Sequence, residues 1–225
     1  MGFFKKGRTA WAIGLIAVCV IGVWWYQWLQ HQSAPITVTS LAQLDKPASK
    51  ERAHALIQTF KIDEAVGKAD VIAEVEILNA VKEMYEPGNK TIFSAKVVQP
   101  IKGEVEAGSE IYIMQEGNSK VAFNDAPQFQ GKEKYILILM KAVGMDNDDT
   151  YWILGSETGV YEVVDEHTIV KWAKPEEAFA SIEASQAQLK TNKAAQTTMN
   201  KLKQMHTQFI NKNQFEQMLR AEMEG

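Results

Sequence analysis

Cysteine is almost absent from this chain: Cys19 is the single one in 225 residues. An intramolecular disulfide or a Cys-based zinc knuckle needs at least a second sulfur, so both are excluded. Histidine is scarce too. His31, His54, His167 and His206 stand far apart and form no His-rich metal motif. The first thirty residues carry no Asp or Glu. No catalytic motif is visible, and the sequence assigns no catalytic residue, metal ligand or cofactor. What is present is an ordinary globular composition, 46% hydrophobic and 23% charged. It allows one or two domains with a real core and argues against whole-chain disorder, collagen-like order or repeats.

Lys5, Lys6 and Arg8 precede a run from Trp11 to Leu29 whose only strongly polar member is Gln27. Nineteen residues at a helical rise span about 28 Å, close to the hydrocarbon thickness of a bilayer. No proline interrupts the run, so its backbone groups can all bond within the segment. Trp24, Trp25, Tyr26 and Trp28 crowd its far end, where amphipathic rings favour the headgroup region. Residues 10–29 are therefore expected to form a transmembrane anchor, with residues 1–9 cytoplasmic and the rest extracytoplasmic. A cleaved signal peptide shares the basic start but has a shorter apolar region and a small-x-small cleavage site. Here the nearest candidate site, after Ala34, has Gln32 and Pro35 at unfavourable places. Val18 stands where a lipobox carries a small residue, so Cys19 reads as a small apolar member of the anchor.

Charge sorts with this topology. Beyond residue 30, 21 Lys and Arg face 28 Asp and Glu, a net of −7. That balance argues against a nucleic-acid partner and predicts weak attraction for anionic headgroups.

Residues 30–61 read as a polar tether carrying local helix. Ser33-Ala34-Pro35 breaks continuity with the anchor, Ser49 is a candidate N-cap for a helix over Lys50 to Phe60, and a helical turn follows from Asp63 to Lys68. Residues 62–173 change period. Val71, Ala73, Val75 and Ile77 alternate with Ile72, Glu74, Glu76 and Leu78, the pattern of a strand covered on one side. Thr91 to Val97 repeats it after the turn signal Pro87-Gly88-Asn89. Further strands are expected at Glu110 to Gln115, Tyr135 to Met140, Tyr151 to Leu154, Gly159 to Val164 and His167 to Trp172. The continuously apolar Tyr135 to Met140 reads as buried on both sides. Short strands at such intervals, with no helical crossover between them, favour a small antiparallel barrel.

Ala69-Asp70-Val71-Ile72-Ala73-Glu74-Val75, Ile101-Lys102-Gly103, Gly131-Lys132-Glu133-Lys134-Tyr135-Ile136-Leu137 and Gly159-Val160-Tyr161 resemble the outline of a class of secreted or membrane-attached bacterial domains. Those domains are similar to the OB-fold barrel of tissue inhibitors of metalloproteinases and netrin modules. The resemblance covers about half the chain and implies an OB-like barrel. Inhibitors of that family act through an amino-terminal cysteine on the protease zinc. No cysteine stands in the outer part of this chain, so metalloproteinase inhibition is not carried over.

Residues 174–225 shift to Ala, Gln, Lys, Glu and Met. Pro175 with Glu176 and Glu177 suits a helix start. Phe179 and Ile182, then Leu202, Met205 and Phe209, then Phe215, Leu219 and Met223 form short stripes, so two or three amphipathic helices are expected. Met199, Met205, Met218 and Met223 suit adaptable apolar contacts. They either pack against the barrel or dock onto an envelope protein or an identical subunit.

Three loops offer candidate sites. Asp146-Asn147-Asp148-Asp149 has oxygen ligands of the kind calcium prefers, but an EF-hand loop needs glycine at its sixth position, where Tyr151 stands, so it reads as a hairpin loop. His167 beside Asp165 and Glu166 invites a general-base reading, yet no motif-borne nucleophile accompanies it and a hairpin tip explains it. Gly155-Ser156-Glu157-Thr158-Gly159 lacks the strand-to-helix context of a nucleophile elbow and reads as a turn. Tyr112, Tyr135, Tyr151, Trp152 and Tyr161 are either core rings or part of a peptide or glycan groove.

The expected whole is mainly β: an OB-like small antiparallel barrel preceded by one transmembrane helix and followed by a helical segment. Its expected role is non-enzymatic binding of a protein or other envelope component outside the cell membrane. The alternative is an accessory subunit or hydrolase-like enzyme whose site is scattered in sequence.

Overall fold

The longest strands hold the centre of the molecule. In the computed structural model, which describes residues 51–56, 58–86, 88–124, 126–145, 147–203 and 205–224, β1 is Glu51–Ala53, α1 Ile62–Lys68, β2 Val71–Met84, β3 Lys90–Lys102, β4 Glu110–Glu116 and β5 Val121–Phe123. Then come β6 at Lys134–Lys141, β7 at Thr150–Ile153, β8 at Val160–Val163 and β9 at Thr168–Lys171. The carboxy-terminal part adds α2 at Gln186–Thr191, α3 at Lys193–Lys201, β10 at Gln208–Asn211 and α4 at Lys212–Glu224. The expected anchor over 10–29 and the tether up to residue 50 lie outside the described residues. Among the described residues no helix is long and apolar enough to cross a membrane.

The fold is mainly β with a closed five-stranded barrel and carboxy-terminal helices. Around the ring, β2 pairs with β3, β3 with β4, β4 with β7, β7 with β6 and β6 with β2. All of these pairings are antiparallel except β4 with β7, which is parallel. β8, β9 and β10 extend the sheet from β6. Strand β2 reaches around the barrel because its pairing with β3 slips at four places, among them Ile77/Asn79 and Ala80/Lys82. Such irregularities bend a strand and increase its twist.

Alternation assigns each face. Val71, Ala73, Val75, Phe93, Ala95, Val97, Ile111, Ile113, Leu137 and Leu139 fill the interior, with Phe129, Tyr135 and Trp172 stacked among them. The opposite face of β2, β6 and β8 supplies Ile72, Ile136, Ile138 and Tyr161 to a second core beneath α1 and α4, where Phe179, Phe215 and Leu219 close it. Central strand β6 is thus buried on both sides, as its continuous apolar run implies.

The hairpin of β2 with β3, the later strands and the Asp63 to Lys68 helical turn match expectation, the turn falling inside α1. Pro87 of the β2–β3 turn is outside the described residues. Gly103 has φ +91°, and a Cβ there would meet the Asp70 carbonyl at 2.2 Å, so the turn after β3 needs glycine.

Four expectations are corrected. The helix over Lys50 to Phe60 is absent from its described residues. Glu51–Ala53 is instead a strand parallel to β5, because main-chain pairing outcompetes local helix propensity. Strand β2 is covered on both sides, since Glu74 lies buried against Lys212 of α4 at 2.5 Å. Pro175 leads into a 3-10 turn, Glu177–Ile182, in place of an α-helix. The stripe that ends at Phe209 is no helical face: Phe209 and Ile210 sit in β10, paired with Val170 and Ile169 of β9. There the tight β-prone pair continues the sheet, and the Gln208 amide anchors the strand, accepting from the Glu176 N–H at 2.9 Å.

Candidate functional site

Side chains on the outside of β4 and β7 lie beyond the helical cover that β2 and β6 share, and Met140 at the end of β6 stands at its margin. Pairing sets Met114 opposite Trp152 and Trp152 opposite Met140, so three large apolar side chains form one row across adjacent strands. Trp152 is 42% exposed. Beside the row lies a groove of about 410 Å³ whose lining includes Leu56, Phe60, Phe123 and Leu154. One rim is charged: Lys90 stands 5.8 Å from the Trp152 ring centroid and 3.6 Å from the Glu116 carboxylate. Apolar floor and polar rim are the usual make-up of a recognition surface.

A second, larger cleft of about 970 Å³ lies across the segment 55–61, between the 3-10 turn Ser156–Gly159 and the chain leaving β9. Its wall contains buried Lys171 paired with half-buried Glu176, with the Lys171 Nζ 5.6 Å from the Phe179 ring. Glu157 also lines it. Its Oε1 accepts from the Asn124 Nδ2 at 3.2 Å, while Oε2 is buried with no hydrogen-bond partner among the described residues.

Between groove and cleft runs the amino-terminal strap. Beyond the β1–β5 register, Asn124 N–H donates to the Ala53 carbonyl at 3.0 Å. The Asn124 side chain then holds both main-chain groups of Ala55, accepting its N–H at 3.1 Å and donating to its carbonyl at 3.3 Å. Asn124 sits at φ +48°, a conformation that asparagine tolerates better than most residues. The β5 loop is itself built by Asn118, whose Oδ1 accepts from Lys120 N–H and Val121 N–H at 3.0 Å each.

A third cluster is acidic and centred on buried Glu162. Lys201 of α3 reaches Glu133 at 2.7 Å and Glu162 of β8 at 3.3 Å. Tyr135 donates to Glu133, and the Trp172 Nε1 donates to Glu162 at 2.9 Å. Burial pushes the Glu162 carboxyl up, the Lys201 charge pulls it down and Glu133 pushes it up again, for a net rise. Neither large hollow is lined by Glu133, Glu162 or Lys201. The cluster ties α3 to the barrel.

The loops that the sequence offered do not converge on either hollow, apart from the glycine-flanked turn, whose Glu157 lines the larger one. His167 forms the exposed tip between β8 and β9, where its carbonyl accepts from Lys212 N–H at 2.9 Å. The acidic loop joins β6 to β7, with Asn147 Oδ1 accepting from Asp149 N–H at 2.9 Å; Asp146 lies outside the described residues. Among the described residues no three His, Cys, Asp or Glu are placed to hold a metal ion. Of the five aromatics, Tyr135, Tyr151 and Tyr161 are core and Tyr112 is half-buried, which leaves Trp152 to the groove. Met205, Met218 and Met223 pack against the two cores, and Met199 is partly exposed. Sequence reasoning missed Met114, Met140, Asn124 and Leu56, because their juxtaposition arises from strand register between distant segments. The chain matches no protein-family model. No curated protein matches it significantly.

Proposed function

We propose that this chain is a non-enzymatic, single-pass membrane protein that holds an OB-like barrel outside the cytoplasmic membrane and binds a protein or other envelope component through the groove beside Trp152. The OB reading is supported by the ring order: a three-strand meander, a fourth strand returning beside the first, and a fifth closing in parallel on the third. It is also in keeping with the resemblance to netrin-type domains. The membrane reading is supported by the apolar run Trp11 to Leu29 behind Lys5, Lys6 and Arg8.

The observation that carries the binding role is the row Met114, Trp152 and Met140 beside an apolar groove. Crosslinking in intact cells, followed by mass spectrometry of what is attached, tests it. A discrete set of envelope partners is expected, and it should be lost in Trp152→Ala. An unchanged set in that variant would remove the groove from the account.

The second reading is an accessory subunit or hydrolase-like envelope enzyme. It is favoured by the Glu162 carboxyl, which burial and neighbouring Glu133 push up against the pull of Lys201. Turnover of an envelope substrate that fails in Glu162→Gln while folding is retained would support it.

A further inference from the structure

We propose that β5 and Asn124 form a strand-addition site for an extended polypeptide of the binding partner, and that the strap Glu51–Leu56 is the chain's own displaceable occupant of it. This rests on the binding role of the Trp152 groove and names the kind of partner that the groove receives.

Three residues of the strap are held through their main-chain groups. Glu51 N–H donates to the Lys120 carbonyl at 2.9 Å, Ala53 accepts from Asn124 N–H, and Ala55 is held at both its N–H and its carbonyl by the Asn124 amide. A site that grips backbone accepts any sequence able to extend, which is how peptides add to sheet edges. At its carboxy-terminal end the side chains His54, Ala55 and Leu56 are exposed, and Leu56 reaches full exposure although it borders both hollows. The strap therefore leaves Trp152, 42% exposed, uncovered on the groove floor beside buried Met114.

A partner segment in the same register would keep the backbone bonds and add an apolar side chain over that floor, gaining what the strap forgoes. The strap competes because it is covalently tethered, through high effective concentration. Asn124 is also held by Glu157, a contact that does not involve the strap and so limits the ordering that an incoming segment must supply.

The test uses the full-length protein in nanodiscs with a photoreactive benzoylphenylalanine in place of Phe123. The probe is a biotinylated synthetic peptide copying residues 49–58. Two variants release the strap: Ala55→Pro, which removes the N–H that Asn124 accepts, and replacement of residues 51–56 by a Gly-Ser stretch of equal length. Labelling is expected to rise at least about five-fold in both, and to fall back when Asn124→Ala is added. No rise in either variant overturns the proposal. So does labelling in cells that joins only two copies of this chain, which would make the occupant a second protomer. Trp152→Ala separates this claim from the one beneath it. If that variant loses the cellular partners while no variant takes the peptide, the groove stands and strand addition falls.

Discussion

The two outer faces of the barrel are built from the same kind of strand and end in opposite states. On β2, β6 and β8 the outward side chains meet α1 and α4, so Ile72, Ile136, Ile138 and Tyr161 become a second core around Phe215 and Leu219. Even a charge is enclosed there, as Glu74 against Lys212. On β4 and β7 the corresponding positions hold Met114, which is buried, and Trp152, which is 42% exposed, and the nearby strap is held at Ala53 and Ala55 by its backbone. Difference in cover, more than in composition, separates the closed face from the one that exposes Trp152.

Substitutions should break this contrast unequally. Phe215→Ala removes a ring packed 4.4 Å from Tyr161 and 5.6 Å from Phe179, centroid to centroid. It is expected to cost about 3–5 kcal/mol in denaturant unfolding. Lys212→Met leaves Glu74 buried without its partner and should cost about 3 kcal/mol. The double variant Glu74→Gln with Lys212→Met should recover most of that.

A smaller effect is expected at Glu162. Its carboxyl is raised by burial, opposed by Lys201 and reinforced by Glu133. A raised carboxyl holds its proton more tightly folded than unfolded. The stability that it contributes is therefore full below the ordinary glutamate value and lost as pH rises through the folded one. Unfolding curves across that window should show the parent losing stability relative to Glu162→Gln; a parallel course would remove the shift. Smallest of all, Trp152→Ala on the open face should change stability by no more than about 0.5 kcal/mol. Equal destabilisation by Trp152→Ala and Phe215→Ala would erase the distinction between the faces.

The barrel was legible because period-two patterning is local: Val71 to Ile77, Thr91 to Val97 and the apolar Tyr135 to Met140 each carry their own signal. The errors fall where a distant partner decides. Glu51–Ala53 becomes a strand only because Val121–Phe123 is beside it, and Phe209 leaves its helical stripe because β9 offers an edge. The site was less legible still. Trp152 stands out in the sequence as one of several aromatics, but Met114 and Met140 join it across a parallel closure and an antiparallel hairpin that no short window of sequence contains. His167 and the acidic loop stood out by local chemistry, and the fold places them at turns.

Site-specific photocrosslinking in living cells addresses the contrast most directly, with benzoylphenylalanine placed in the full-length chain either at Trp152 on the open face or at exposed Arg220 on the outside of α4. The account predicts a discrete adduct from position 152 and none from position 220. Adducts of equal yield from both, or from position 220 alone, would contradict it.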